Sequence, residues 1–195
     1  MLLVVGTHNK GKIQEIRQVL GKEVEIRSVS EFLDEEPIED GNSLKENALI
    51  KARHAYYASH LPSFADDSGL FVQALNGAPG IHSSRYAKTD EERIAKLLKE
   101  LGNEPNKDRT AYFGCCIAYY DGKNEFTVEG RCYGTIITQK KGHSGFGYDP
   151  VFVPNGFDST FAELGEEEKN KISHRALALE LFKKELLKRN LFANQ

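Results

Sequence analysis

The sequence predicts an α/β protein with a mixed β-sheet. Short apolar runs alternate with helical patterns through residues 2–59. Two long strand-like segments, 110–120 and 125–138, flank the turn Asp121-Gly122-Lys123-Asn124. A last amphipathic helix is expected over 173–189. Alternating strands and helices favour parallel neighbours and a hairpin favours antiparallel ones, so the sheet should contain both.

Each element follows from local pattern. Leu2 to Val5 is apolar and ends at Gly6, which predicts a buried strand. Asn9 can cap a helix whose Ile13, Ile16, Val19 and Leu20 share one face. Val24 to Val29 alternates apolar and charged residues, a strand pattern, and an acidic, turn-rich stretch fills 31–42. Ser43 and Glu46 form a capping box that opens an alanine-rich helix to about Ser59, and Pro62 ends it. Ser63 to Ala65 reads as a brief strand running into the turn-like Asp66-Asp67-Ser68-Gly69. Leu70 to Leu75 reads as another strand and 76–80 as a loop. Thr89 and Glu92 form a second capping box, ahead of a helix with Ile94, Leu97, Leu98 and Leu101 on one face. After the hairpin, Gly142 to Pro150 is a glycine-rich loop carrying two aromatics. In the last helix Leu179, Phe182 and Leu186 make a stripe, and basic residues near its C-terminus favour the negative end of the dipole.

Composition narrows the function. The chain has 195 residues and 39% hydrophobic content, enough for a core in a single domain over 1–195. With 26 basic and 29 acidic residues the net charge is −3, which argues against a nucleic-acid-coating surface. No apolar run is long enough for a membrane span, and the N-terminus lacks the basic region of a signal peptide. Cys115, Cys116 and Cys132 lack a metal-site spacing and suit reduced thiols in a cytoplasmic protein.

Five segments can carry chemistry. Gly6-Thr7-His8-Asn9-Lys10-Gly11-Lys12 joins a strand to a helix start, whose amides attract anions, and Lys10 and Lys12 add charge. Ile13 stands where a P-loop needs Ser or Thr for magnesium, so the segment is a phosphate cradle without its metal ligand or a plain turn. Asp66 and Asp67 are costly side by side unless a cation meets them; an Asp-Ser-Gly turn is the alternative. Glu39, ahead of the second helix, serves the helix dipole or, with Asp67, gives magnesium the one or two carboxylates it prefers. Asn47 and Lys51 lie on one helix face, so Lys51 can reach phosphate. Phe146 and Tyr148, among glycines, offer rings to a purine base or belong to the core. Lys169, His174 and Arg175 sit at the expected start of the last helix, where the dipole disfavours cations. That placement suits a ligand.

Taken together, these segments resemble the inosine triphosphate pyrophosphatase family. The matching stretches are 7–12, 39–48, 51–53, 65–70, 77–86, 145–150 and 168–175, in family order across nearly the whole chain. His8 departs from the family's usual glycine. The resemblance implies an elongated structure with a long mixed sheet, flanking helices, and two lobes with a central nucleotide cleft. It implies a homodimer that hydrolyses the α–β bond of ITP, dITP and XTP with Mg²⁺. By position, Thr7, His8, Asn9, Lys10, Gly11 and Lys12 would bind the triphosphate. Glu39 and Asp67 would hold the metal, Asp67 would be the general base, and Ser68 would contact substrate. Phe146, Gly147, Tyr148 and Asp149 would line the base site, with Lys169, His174 and Arg175 at the base edge. Lys12 and Lys51 would stabilise phosphoryl charge, while the residues alone leave Asp66 and Asp67 both open as proton acceptor. The competing readings are a P-loop-like phosphotransferase and a nucleotide-binding module without turnover.

Overall fold

The computed structural model describes residues 1–191. Among these residues, seven strands and five α-helices follow one another in the order β1 (Leu2–Val5), α1 (Lys10–Leu20), β2 (Glu25–Ser28), α2 (Leu44–Ser59), β3 (Ser63–Val72), β4 (Pro79–Gly80), α3 (Asp90–Leu101), β5 (Thr110–Tyr120), β6 (Glu125–Ile136), β7 (Phe152–Pro154), α4 (Phe161–Ile172) and α5 (His174–Lys188). The strands pair in the order β2-β1-β3-β5-β6-β7, with β4 on β3. β1 runs parallel to β2 and β3, whereas β3–β4 and β6–β7 are antiparallel. The sheet is therefore mixed, as expected.

By contact density the chain divides into two units. Among the described residues, the first comprises 1–67, 115–130 and 175–191. Its core joins Leu3 and Val5 of β1, Ile13, Ile16 and Leu20 of α1, Phe64, Tyr119 and Phe126 of the sheet, and Leu179, Phe182 and Leu186 of α5. Phe64 stacks on Phe182 with centroids 5.0 Å apart. The second comprises 68–114 and 131–174. Its core joins Leu70 and Val72 to Ile94, Leu97 and Leu101 of α3, and to Phe113, Phe152 and Phe161. The stripes predicted for α1, α3 and α5 are the buried faces. All three cysteines are free and buried, and burial pushes the Cys116 thiol up to about 12. Among the described residues no helix is long and apolar enough to cross a membrane.

Capping chemistry sets the helix starts. Ser43 Oγ accepts the Glu46 N–H at 3.1 Å, and the Thr89–Glu92 pair closes a reciprocal box. The hairpin turn is held by Asp121 Oδ1, which accepts the N–H groups of Lys123 and Asn124 at 2.9 and 2.6 Å.

Four features differ from the sequence-based expectation. Residues 63–72 form one continuous strand, not two strands around a turn. Gly69 lets the β4 backbone approach so closely that a side chain there would strike the Gly80 carbonyl. That pairing overrides the local turn preference. Gln73–Leu75 is a short 3₁₀ turn instead of strand. β4, within the expected 76–80 loop, and β7 and α4 are additional elements; Gly165, at φ 79°, kinks α4 and breaks its periodicity. Finally, Lys169 and Lys171 lie in the last turn of α4, not at the start of the final helix. The dipole favours cations there, so the argument from an unfavourable placement falls away for Lys169, whereas His174 and Arg175 do open α5.

One glycine sets the position of α2. A Cβ on Gly6 would lie 2.8 Å from the Lys51 carbonyl oxygen and 3.1 Å from Ala65 Cβ. Gly6→Ala should therefore destabilise the protein by roughly 1–3 kcal/mol through overpacking. Urea unfolding checks this, and an unchanged midpoint would mean that α2 retreats freely.

Candidate active site

In β3 the adjacent aspartates alternate in direction, as extended neighbours must. Each meets its own cations within the first unit. Asp66 Oδ2 lies 3.2 Å from Lys12 Nζ of α1 and 3.3 Å from Arg175 Nε of α5. Glu15 Oε2, 2.6 Å from Arg175 Nη1, holds that guanidinium from its other side. Asp67 Oδ1 accepts from Lys51 Nζ of α2 at 3.0 Å, and the same ammonium lies 3.3 Å from Glu39 Oε2. Glu39 and Asp67 thus converge on one cation. The Glu39 loop is fastened by Asn47, fully buried one helical turn before Lys51, whose Oδ1 accepts the Gly41 N–H at 2.9 Å.

The two aspartates titrate in opposite directions. Burial alone would raise Asp66, but Lys12, Arg175 and Lys51 outweigh it and hold the carboxyl far below the usual range. Burial raises Asp67, and the charges of Glu39 and Asp66 add to it against Lys51. Asp67 Oδ2 is buried and accepts no hydrogen bond. Lys51 stays charged: burial would lower its pKa, yet Asp67, Asp66 and Glu39 together raise it. Asp66 is therefore a locked anion, whereas Asp67 keeps an uncommitted oxygen.

That orphaned oxygen tests the fit of a metal. Two carboxylates that already share an ammonium, one with a spare buried oxygen, suit magnesium, which takes its remaining ligands from phosphate and water. Among the described residues no group of three or more His, Cys, Asp or Glu could hold a metal ion without such added ligands.

The 7–12 segment enters α1 as expected, with one difference. Asn9 Oδ1 accepts the N–H groups of Gly11 and Lys12 at 2.9 and 3.1 Å, so the cap takes two amides that the sequence offered to an anion. Thr7 Oγ1 accepts the Asn9 N–H at 3.2 Å. Lys10 is exposed, and His8 Nδ1 lies 3.5 Å from Glu36 Oε1. Ile13 is in the core, so nothing at that position replaces the missing P-loop hydroxyl.

The second unit holds another group. Asp149 Oδ2 accepts from Lys169 Nζ at 2.6 Å and from the Phe146 N–H at 3.0 Å. Lys169 Nζ sits 4.5 Å from the centroid of Phe146, whose ring is 53% exposed. Gly147 donates its N–H to Asp90 Oδ2 at 2.8 Å. Tyr148 is different: its ring lies in the core and its hydroxyl donates to the Ser83 carbonyl at 2.8 Å. Phe146 is thus the aromatic that presents a face. His174 is buried and stacks on Phe113 at 4.8 Å. Ser68 is half-buried, next after Asp67 in β3. Arg175 groups with Asp66 and Lys12 in the first unit, not with Lys169 and Phe146, and its Nε and Nη1 are committed to carboxylates.

Sequence reasoning missed Glu15 and Asp90. Glu15 follows Lys12 by one helical turn, a spacing that marks a shared face. For Asp90 the sequence signal was only its place in a helix's first turn.

A model of the Ham1 family matches residues 3–185. A dITP/XTP pyrophosphatase of Desulfotalea psychrophila is 47% identical over 190 residues, covering 94% of this chain and 84% of that protein. A HAM1 protein structure from Coxiella burnetii superposes with a TM-score of 0.90 at 40% identity, covering 96% of this chain and 99% of that one. A nucleoside-triphosphatase / dITP/XTP pyrophosphatase structure from Mycobacterium abscessus gives 0.77 at 41% identity, covering 93% and 98%. With the matching residues spanning both units, the chain belongs to the Ham1 family.

Proposed function

We propose that this protein is a magnesium-dependent pyrophosphatase of purine nucleoside triphosphates, converting ITP, dITP and XTP to the monophosphate and diphosphate. The observation that carries the reading is Asp67: a buried carboxylate with one oxygen on Lys51 and the other without a partner. The likeness to dITP/XTP pyrophosphatases supplies the substrate class.

In this reading Glu39 and Asp67 would hold magnesium, which when bound offsets polyphosphate charge and activates water. The water oxygen bonds to the α-phosphorus as the bond from that phosphorus to the α–β bridging oxygen breaks. The bridging oxygen leaves with the diphosphate, and the Asp67 carboxylate takes the water's proton. Lys51 and Lys12 stabilise the charge that builds on the phosphoryl oxygens. The positive end of α1, with Lys10, draws the triphosphate tail. Asp66 does not exchange protons; it fixes Lys12 and Arg175. Phe146 offers a stacking face to the base, and Lys169 and His174 supply donors. A 6-carbonyl satisfies such donors, whereas the amino group of adenine opposes them, which penalises ATP. The net charge of −3 suits free nucleotides better than nucleic acid. Three free thiols fit a reducing cytoplasm. The homodimer rests on the family resemblance.

Asp67→Asn should lower kcat for ITP by about 10²–10⁴-fold, the usual worth of a general base. Wild type should release diphosphate. Release of orthophosphate, or full activity in the variant, would overturn the reading.

The two aspartates should also differ in stability. The charge on Asp67 is disfavoured in the folded state, so its stability cost grows as pH rises through and above the ordinary aspartate range. Asp67→Asn should melt no lower than wild type at pH 7, and any gain should vanish below about pH 4. Asp66 has the opposite sign: its contribution is present above the ordinary range and is lost as pH falls toward its lower folded value. Asp66→Asn should cost roughly 3–5 kcal/mol at neutral pH, because it strands buried cations. Thermal melts of both variants across pH check the pair, and equal losses would refute the division.

A further inference from the structure

The ring of Phe146 rides on a backbone with little stiffness of its own. Gly145 and Gly147, on either side, take φ of +79° and +61°, the left-handed region that glycine enters most freely. What fixes the ring is a set of hydrogen bonds to the peptide groups around it. Asp149 accepts the Phe146 N–H at 3.0 Å and donates its own N–H to the Phe146 carbonyl at 3.3 Å. Both of these are internal to the turn. The Gly147 N–H goes outside it, to Asp90 Oδ2 at 2.8 Å, on the first residue of α3.

Asp90 is itself held. Its Oδ1 lies 2.6 Å from Arg93 Nη1, and Arg93 Nε donates to the Ala87 carbonyl at 3.0 Å. The positive end of α3 favours the carboxylate there. Next to it Glu91 pairs with Lys140, on the segment that leads into the loop. Between the first turn of α3 and the loop lies a pocket of about 400 Å³, lined by Asp90, Glu91, Ile94, Gly145 and Gly147 among others. Tyr148, buried in one cluster with Ile94 and Leu97, anchors the C-terminal side of the loop. On the Phe146 side, where the pocket intervenes, the hydrogen bond from Gly147 to Asp90 joins loop to helix.

We infer that Asp90 is a positioning residue for base recognition: through Gly147 it holds Phe146 where a purine base stacks. The inference rests on the base-platform reading above and extends it to a residue that touches no substrate. Asp90 is partly exposed and its ion pair is a surface one, so its removal leaves the fold intact.

The chain contains no tryptophan, so Phe146→Trp adds a single fluorescent reporter at the platform. In that background Asp90→Ala should lower the anisotropy of the nucleotide-free protein, and Asp90→Asn, which keeps an acceptor oxygen, should not. With Phe146 in place, Asp90→Ala should raise KM for ITP about fivefold, the worth of one hydrogen bond, with kcat within about twofold. Asp90→Asn should restore KM. An unmoved probe, or an Asn variant as impaired as the Ala variant, overturns the tether. A loosened probe with unchanged KM overturns the inference by another route: the tether then exists, and the platform reading is what fails. A fall in kcat matching the rise in KM also overturns it, since that marks general damage.

Discussion

An ammonium shared by two carboxylates organises the first unit. Lys51 Nζ lies 3.0 Å from Asp67 and 3.3 Å from Glu39. That contact requires α2 to lie against the ends of β1 and β3, and Gly6 permits it by leaving room for the Lys51 carbonyl. Buried ion pairs add little to net stability, because desolvation cancels much of the attraction. Their arrangement here is better explained by what it prepares: two carboxylates already drawn to one cation, with a spare oxygen on one of them. In the proposed function, that preparation is for a polyphosphate with its counter-cation.

Much of the architecture was legible because local and tertiary preferences agree. The Ser43 cap and the 89–92 capping box mark the starts of α2 and α3, although Glu46 reaches the Asn42 N–H instead of closing a box on Ser43, and apolar spacing marks the buried faces of α1, α3 and α5. The hairpin turn announced itself because Asp121 satisfies its own neighbours. Failures fall where those preferences conflict. Asp-Ser-Gly at 67–69 carries turn chemistry, yet contact with β4 keeps the chain extended. In α4, Gly165 interrupts the period and the charged run that follows hides a helical face. Neither correction is available from a local window of sequence.

The site was legible in residue type and less so in grouping. Glu39, Lys51 and Asp67 do converge. Arg175 was expected beside Lys169, six positions earlier, but a break in helical geometry at Ser173 separates α4 from α5. Lys169 turns to Asp149 and Arg175 to Asp66. Sequence proximity across such a joint says little about spatial proximity, whereas Asp66 and Arg175, 109 positions apart, are bonded.

The adjacency of Asp66 and Asp67 has a geometric consequence. In an extended strand consecutive side chains point to opposite faces, so two identical residues can be given opposite environments at no cost in sequence length. One face meets Lys12 and Arg175, which lock a carboxylate; the other meets Lys51 alone, which leaves an oxygen in reserve. A turn at this point would bring both carboxylates to one side and set their charges against each other. Continuity of β3 is thus a requirement of the chemistry, and the close approach of β4 at Gly69 is what enforces it. A slip of one residue in β3 would exchange the two environments. The aspartate then facing Lys51 would be flanked by a different neighbour, and the carboxylate left for the clamp would no longer meet the guanidinium that Glu15 holds in place.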